Sequence, residues 1–173
     1  MQAEIITIGD ELLIGQVVDT NSAWLGRTLG EDGIKVTQIT SVQDDADQIA
    51  RAVNEALARV SIVLVTGGLG PTRDDITKHT LAELFGMRLV RDEQVYETVR
   101  RQLAVRGIAF NELNRGQALV PDGCTVLPNR NGTAPGMWFE RGRKILVSMP
   151  GVPFEMKALV TDEVLPRLRT HFS

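Results

Sequence analysis

The stretch that decides the fold lies at residues 63–77 and reads Val63-Leu64-Val65-Thr66-Gly67-Gly68-Leu69-Gly70-Pro71-Thr72-Arg73-Asp74-Asp75-Ile76-Thr77. It begins as an uninterrupted apolar run, which is typical of a strand buried on both faces. Three glycines within four residues follow, and then a pair of carboxylates and a segment with helical spacing. This order predicts a phosphate-binding turn, because glycines let the backbone approach a ligand and successive N–H groups attract an anion.

Strand and helix patterns alternate three times around this turn. The predicted elements lie at residues 3–8, 20–29, 35–41, 44–60, 61–66 and 75–85. The strand at 35–41 alternates between apolar and polar residues, which favours a place nearer a sheet edge. We expect Thr20 or Asn21 to cap the first helix. The alternation predicts an α/β fold with a mostly parallel central sheet and helices on both faces.

The second half of the chain predicts a hairpin and two further helices. Residues 136–140 and 144–149 have strand patterns separated by a short Arg-Gly-Arg turn, so we expect an antiparallel hairpin that extends the sheet. Asp92 precedes a helical pattern that ends at Gly107. A last helix is predicted from Phe154, and Pro166 should kink or end it.

Composition excludes several classes of function. At 173 residues the chain is most simply one domain over 1–173, and its net charge of −3 argues against a nucleic-acid or membrane binder. Cys124 is the only cysteine, which excludes an intramolecular disulfide framework and a thiolate zinc site. The N-terminus lacks a signal-peptide pattern and no apolar run approaches membrane-spanning length. We therefore expect a cytoplasmic protein.

Acidic residues follow the carboxyl ends of the predicted strands, where ligands bind in open parallel sheets. They are Asp10 and Glu11, Asp44 and Asp45, Asp74 and Asp75, and Glu155. Asp44 and Asp45 are most simply helix caps, and structural roles are also favoured for Glu11 and Glu155. Asp74 or Asp75 could cap the next helix as well, but the glycines beside them favour a site role, and Asp10 has no strong helix to cap. These three aspartates are the better candidates for a site.

Carboxylates beside an anion site indicate a divalent cation between them. Such an ion takes oxygen ligands, bridges to a phosphate and neutralises its charge. Lys78 and Arg73 are close enough in sequence to add a positive contact, and Arg130 is a solvated loop arginine or a third contact. His79 and His171 fall in a helix and in the tail. No serine or cysteine has a base at a recognisable spacing, so nucleophilic catalysis has no support.

Four motifs in order give the sequence a family resemblance. They are Gly9-Asp10-Glu11-Leu12-Leu13-x-Gly15, the turn at residues 67–77, Asn131-Gly132-Thr133-Ala134-Pro135-Gly136, and Pro150-Gly151-Val152-Pro153, with Asn21 between the first two. Together they resemble the N-terminal domain of the CinA (competence/damage-inducible) family, within the molybdopterin-binding MoaB/MogA/MoeA-like superfamily. The resemblance covers essentially the whole chain and implies a three-layer α/β sandwich with the ligand over the glycine turn.

The resemblance implies one of two activities. CinA-type domains are similar to metal-dependent pyrophosphohydrolases that split ADP-ribose and related compounds such as FAD, whereas MoaB and MogA relatives bind molybdopterin. Leu69 stands where the MogA group usually has threonine, which favours the CinA side. The second, amidohydrolase domain of many CinA proteins is not expected in this chain. A third hypothesis is a regulatory interaction protein with a vestigial pocket.

The resemblance also implies roles for particular residues. Gly67, Gly68, Gly70 and Thr72 would hold a diphosphate, to which Lys78 is a further candidate contact from its closeness in sequence. Asn131, Thr133 and Gly151 would line the nucleoside side. Asp75 and Asp74 would ligate a divalent metal, and these two with Asp10 are the candidate catalytic residues. The implied ligands are a small-molecule nucleotide, a divalent ion of unknown identity and a monovalent cation as a further candidate, with molybdopterin as the alternative. Relatives self-associate, so we expect a dimer or a trimer.

Overall fold

A computed structural model describes residues 1–69 and 76–173. Residues 70–75, which include Gly70, Thr72, Asp74 and Asp75, lie outside the described residues. The elements are β1 Gln2–Ile8, α1 Asp10–Leu13, α2 Thr20–Glu31, β2 Lys35–Val42, α3 Ala46–Arg59, β3 Ile62–Thr66, α4 Ile76–Leu84, β4 Leu89–Arg91, α5 Glu93–Val105, α6 Glu112–Gly116, β5 Leu119–Pro121, β6 Thr125–Leu127, β7 Gly136–Arg141, β8 Lys144–Met149, α7 Pro153–Leu159, a π-helical turn Val160–Val164, and α8 Leu165–His171.

The central sheet has six strands in the order β2-β1-β3-β8-β7-β6. The first four strands of this order run parallel, and β7 and β6 are antiparallel to their neighbours. The predicted mixed sheet is confirmed, and β2 lies at its edge as its alternating pattern indicates. The short pair β4 and β5 forms a separate antiparallel ribbon, which the sequence patterns did not predict.

Helices cover both faces of the sheet, so the three-layer α/β sandwich is confirmed. On one face α2 and the C-terminal helices bury Leu25, Leu29 and Leu168 against the sheet. On the other face α3 and α4 bury Val53 and Leu81. Strands β1, β3 and β8 contribute to both cores, because successive side chains point to opposite faces and both faces are covered.

One local prediction needs correction. The cap of α2 is Asp19, whose carboxylate accepts from the Ser22 N–H at 3.0 Å, and not Thr20 or Asn21. Residues 10–13, directly after β1, form the single helical turn α1. The last helix is irregular near Pro166, as expected: a π-helical turn ends two residues before it and places it in the first turn of α8. Among the described residues no helix is long and apolar enough to cross a membrane.

Candidate functional site

The first part of the glycine turn is shaped by packing. Gly67 has φ +98°, and a Cβ there would lie 2.2 Å from the carbonyl oxygen of Ile8. Gly68 has φ +70°, and a Cβ there would lie 2.1 Å from Oγ1 of Thr77. Any side chain at either position would both strain the backbone and collide with the neighbouring segment. These two glycines let the end of β3 pass directly beside β1 and α4.

One of the predicted anion-binding N–H groups is already used within the fold. The Gly67 N–H donates to the carbonyl oxygen of Met149 at 3.0 Å, which continues the pairing of β3 with β8 by one residue. The Gly68 N–H has no backbone acceptor within the described part of the chain. Of these two donors, therefore, Gly68 is the one that a ligand can recruit.

A cavity of about 460 Å³ lies above the carboxyl ends of β1, β3 and β8. Its floor includes Thr7, Thr66, Gly67, Gly68 and Gly151. This position at the ends of parallel strands is where open α/β sheets bind their ligands. The volume falls within the range of pockets that hold small molecules or cofactors, about 300–1,000 Å³.

Asn21 connects two walls of this cavity. Its Nδ2 donates to the carbonyl oxygen of Gly151 at 2.9 Å and lies 3.3 Å from Oγ1 of Thr66. Its Oδ1 is buried and has no hydrogen-bond partner among the described residues. Asn21 belongs to the first turn of α2, so these bonds fix the start of that helix against the ends of β3 and β8.

Among the described residues, three carboxylates line the cavity: Glu11, Asp19 and Glu155. Asp19 caps α2, and Glu155 accepts from Nδ2 of Asn129 at 2.7 Å. The side-chain carboxylate of Glu11 has no hydrogen-bond or ion-pair partner within the described part of the chain, and it folds over Gly9, where a Cβ would lie 2.5 Å from Oε1. Glu11 is therefore the lining carboxylate that remains available to water or a ligand.

Arg106 supplies a positive charge to the same cavity. It lies just after α5, and its NH2 group donates to the carbonyl oxygen of Asn131 at 3.4 Å. Among the described lining residues it is the only lysine or arginine. An exposed guanidinium of this kind presents a planar set of donors that matches phosphate oxygens.

The structure brings some of the predicted site residues together and not others. Gly67, Gly68, Thr133 and Gly151 all line the cavity. Asp10, Lys78 and Asn131 do not line it. Asp10 accepts from the Asp44 N–H at 3.3 Å, and Lys78 is 6% exposed with its Nζ donating to the carbonyl oxygen of Gly116 at 2.8 Å. Gly70, Thr72, Asp74 and Asp75 lie outside the described residues.

The described residues do not form a metal centre by themselves. Within 1–69 and 76–173 no group of three His, Cys, Asp or Glu side chains could hold an ion. The carboxylates that line the cavity offer only hard oxygen donors, which suit Mg²⁺ or Mn²⁺ better than zinc. The predicted metal ligands Asp74 and Asp75 are not among the residues described, so the metal site stays a prediction from the sequence.

Cys124 is also excluded as a nucleophile on physical grounds. Burial raises the pKa of its thiol to about 11, which leaves it protonated near neutral pH. It does not line the main cavity, and it packs beside the core of the α3 and α4 face.

Sequence reasoning missed Asp19, Arg106 and Gln117 as lining residues, and it favoured local roles for Glu11 and Glu155. Asn21 appeared in the motif, but no role was assigned to it. Arg106 and Gln117 belong to the segments that follow α5 and α6, which are far in sequence from the strands whose ends they face. The only available signal for Arg106 was its position in the last turn before Gly107.

Comparisons with known proteins agree with this fold and show the family. A family model described as "Probable molybdopterin binding domain" matches residues 4–170. A CinA-like protein of Cytophaga hutchinsonii is 49% identical over 170 residues, which is 98% of this chain and 41% of that protein. A CinA-like protein of Gemmatimonas aurantiaca is 47% identical over 172 residues, covering 98% of this chain and 40% of the relative.

Solved structures give the same result. The crystal structure of CinA from Thermoplasma acidophilum, described as having unknown function, superposes with a TM-score of 0.85 at 37% identity and covers 92% of this chain and 94% of its own. A molybdenum cofactor biosynthesis protein B superposes with a TM-score of 0.66 at 25% identity, over 99% and 92% of the two chains. The fold and site thus define a molybdopterin-binding-like α/β domain.

The chain belongs to the family of such domains and, within it, to the CinA-like proteins. It spans only 41% and 40% of the length of the two curated relatives described above. Activities of those whole proteins therefore reach this chain only as proposals.

Proposed function

We propose that the cavity binds a dinucleotide-type diphosphate and that the chain hydrolyses its diphosphate linkage, with ADP-ribose as the test substrate. The observation that carries the proposal is the combination found in one cavity. The cavity lies at the ends of three parallel strands, where the backbone of Gly68 presents an N–H without a backbone acceptor in the described part of the chain. The guanidinium of Arg106 and the carboxylate of Glu11, which has no partner among the described residues, line the same cavity. A cation and an N–H donor suit a phosphate, and a carboxylate suits the activation of water.

The reaction would proceed by attack of water on phosphorus. The water oxygen forms a bond to one phosphorus atom, and the bond from that phosphorus to the bridging oxygen breaks. The water proton passes to the Glu11 carboxylate, and the bridging oxygen leaves with the second phosphate. ADP-ribose would give AMP and ribose 5-phosphate. Arg106 and the Gly68 N–H would stabilise the negative charge that develops on the phosphate oxygens.

A requirement for a divalent ion is part of the proposal and rests on Asp74 and Asp75. Such an ion, when bound, neutralises phosphate charge. The experiment that tests the function incubates purified protein with ADP-ribose in separate reactions with Mg²⁺, Mn²⁺ and Co²⁺, and in EDTA, and measures AMP by chromatography. AMP formation with at least one metal supports the proposal, and no AMP under any condition contradicts it.

A pair of matched variants assigns the chemistry to the cavity. Glu11→Gln keeps the size of the side chain but removes its basicity, so we expect a fall in kcat of about 100-fold or more, in line with the usual contribution of a general base. Glu112→Gln is the control, because Glu112 is exposed on α6 and its ion pair is with Arg115, away from the cavity. Equal kcat values for Glu11→Gln and the control would remove Glu11 from the mechanism.

A second candidate function is the binding of a pterin without hydrolysis. The family description and the similarity to a molybdenum cofactor biosynthesis protein favour it. Its test is calorimetric titration with molybdopterin. Binding of molybdopterin together with no turnover of ADP-ribose would select this candidate over the first.

A further inference from the structure

Gln117 carries a buried side-chain amide that nothing in the described fold uses. The residue follows α6 directly and is 4% exposed. Neither Oε1 nor Nε2 has a hydrogen-bond partner in the described part of the chain. Burying an amide without hydrogen bonds costs about 1–3 kcal/mol, so such groups are uncommon in folded proteins.

Gln117 stands out from the other unpaired groups. Within 1–69 and 76–173, each other side chain with a buried polar atom that lacks a hydrogen-bond partner has one such atom. Gln117 has two, the oxygen and the nitrogen of its amide. Unsatisfied buried groups of this kind require a physical explanation, and a ligand is one of them.

The location of Gln117 indicates that a bound ligand is the missing partner of its amide. It lines the main cavity and also a narrow pocket of about 10 Å³ beside it. Leu69 and Ala134 line both of these spaces as well and are 6% and 9% exposed. The unused amide therefore lies at a mostly apolar part of a cavity whose other parts offer charged groups.

The chemistry of the amide restricts what can satisfy it. It presents an acceptor and a donor side by side, so its partner must offer a donor next to an acceptor. A phosphate offers acceptors and no such pair. A flat heterocycle with an amino group beside a ring nitrogen offers the pair, and its faces suit the apolar surroundings of Leu69 and Ala134.

We propose that Gln117 is the base-recognition residue of this site and binds the edge of an adenine ring. Its Oε1 accepts from the 6-amino group and its Nε2 donates to the neighbouring ring nitrogen. The inference rests on the proposed function and deepens it, because it assigns the base end of the same diphosphate ligand. It predicts that the protein distinguishes adenine from a purine without the amino group.

The test measures binding and not turnover. The affinities of AMP and of purine riboside 5′-monophosphate, which lacks the 6-amino group, are determined by calorimetry for the wild type and for Gln117→Met. Methionine fills a similar volume without amide hydrogen bonding. We expect the wild type to prefer AMP by at least about tenfold, because a site built to hydrogen-bond a group rejects the analogue without it. The variant should bind both nucleotides with equal affinity.

The control is Gln38→Met on the exposed side of β2, which should keep the preference of the wild type. Thermal unfolding adds an independent readout. Replacing an unpaired buried amide with an apolar side chain of similar size should leave the Tm of Gln117→Met unchanged or raise it. A folded Gln117→Met protein that keeps the preference for AMP overturns the inference, as does a wild type that binds AMP no better than the analogue.

If Gln117→Met does not fold, Gln117→Glu keeps the shape and the acceptor but loses the donor. The ring nitrogen that this donor contacts is present in both nucleotides, so the affinities for AMP and for the analogue should both fall by about tenfold while the preference for AMP remains, and unchanged affinities would count against the inference. Failure of the proposed function is distinguishable from failure of this inference. A protein that shows the AMP preference and its loss in the variant, but no AMP release from ADP-ribose, contradicts only the hydrolase proposal.

Discussion

The side-chain amide of Asn21 donates to the carbonyl oxygen of Gly151 at 2.9 Å, across 130 residues of sequence. The bond joins the first turn of α2 to the loop that follows β8. Both residues line the main cavity, so one hydrogen bond sets the distance between two of its walls. The site is therefore held by contacts between loops and strand ends, and not by the glycine turn alone.

Removing this hydrogen bond should lower catalytic activity more than it lowers the stability of the fold. We expect Asn21→Ala to lower kcat/KM for ADP-ribose by about tenfold, because misplacing a ligand-contacting wall by a fraction of an ångström is costly in catalysis. Asn54→Ala on the exposed face of α3 is the matched control. Steady-state kinetics of both variants, with the Tm of each, make the comparison. Equal kcat/KM values would mean that the Asn21 bond has no part in positioning.

Arg106 should act mainly on substrate binding. Its guanidinium is exposed and contacts the described residues only weakly, through the 3.4 Å bond to Asn131. We expect Arg106→Gln to raise KM for ADP-ribose by about tenfold, which is the effect of losing one charge-assisted bond to phosphate. The effect should shrink as salt is added, because exposed charges are screened. Arg101→Gln, on α5 but outside the cavity, should leave KM unchanged, and an equal rise in KM for both variants would exclude a specific contact by Arg106.

A side chain at Gly67 should lower stability for two reasons, its positive φ and its close packing, and a second glycine separates the two contributions. Gly86 has φ +65°, and apart from its own chain neighbours no described atom lies within 4 Å of the position that a Cβ would occupy, whereas Gly67 has φ +98° and the Ile8 carbonyl oxygen 2.2 Å away. Gly86→Ala should cost about 1 kcal/mol from backbone strain alone. Gly67→Ala should cost about 2–4 kcal/mol, because the backbone of β1 must also move. Chemical denaturation of both variants measures the difference, and equal costs would contradict the packing role.

The ion pair between Asp32 and Arg169 should make the stability of the fold depend on pH in the acidic range. The hydrogen bond from Arg169 holds the pKa of the Asp32 carboxyl below its ordinary value of 3.8. The folded state therefore binds this proton more weakly than the unfolded state, so the ion pair stabilises the fold above about pH 4 and is lost as pH falls through the folded pKa.

The variant Arg169→Gln removes the ion pair while it leaves Asp32 in place. We expect its Tm to lie about 1 °C below the wild type at pH 7, since exposed ion pairs contribute little, and the gap to narrow below pH 4. Arg143→Gln in the hairpin turn is the control and should show no such pH-dependent gap. A gap for Arg169→Gln that stays constant down to pH 2 would contradict the assignment.

Much of the fold could be predicted because the decisive strands are buried on both faces. Strands β1, β3 and β8 have nearly continuous apolar runs, and the cap at Asp92 marks the start of α5 as expected. The ribbon of β4 and β5 could not be predicted because each strand has three residues, which is too short for a periodic pattern.

The site was harder to predict than the fold. Gly151 and Thr133 could be placed from motifs that follow strands or turns. Arg106 and Gln117 reach the cavity from segments after α5 and α6, and no local pattern ties those segments to the ends of the central strands. Lys78 looked like a phosphate contact from its sequence position, but the turn of α4 that carries it places its Nζ on the carbonyl oxygen of Gly116.

The most direct test of diphosphate binding in this cavity is a crystal structure of the protein soaked with α,β-methylene ADP-ribose, a substrate analogue whose linkage cannot be hydrolysed. We expect the two phosphorus atoms over Gly68 and within reach of Arg106, and the adenine ring against Gln117. Density for the ligand elsewhere on the surface, or none in the 460 Å³ cavity at saturating concentration, would contradict the proposed site.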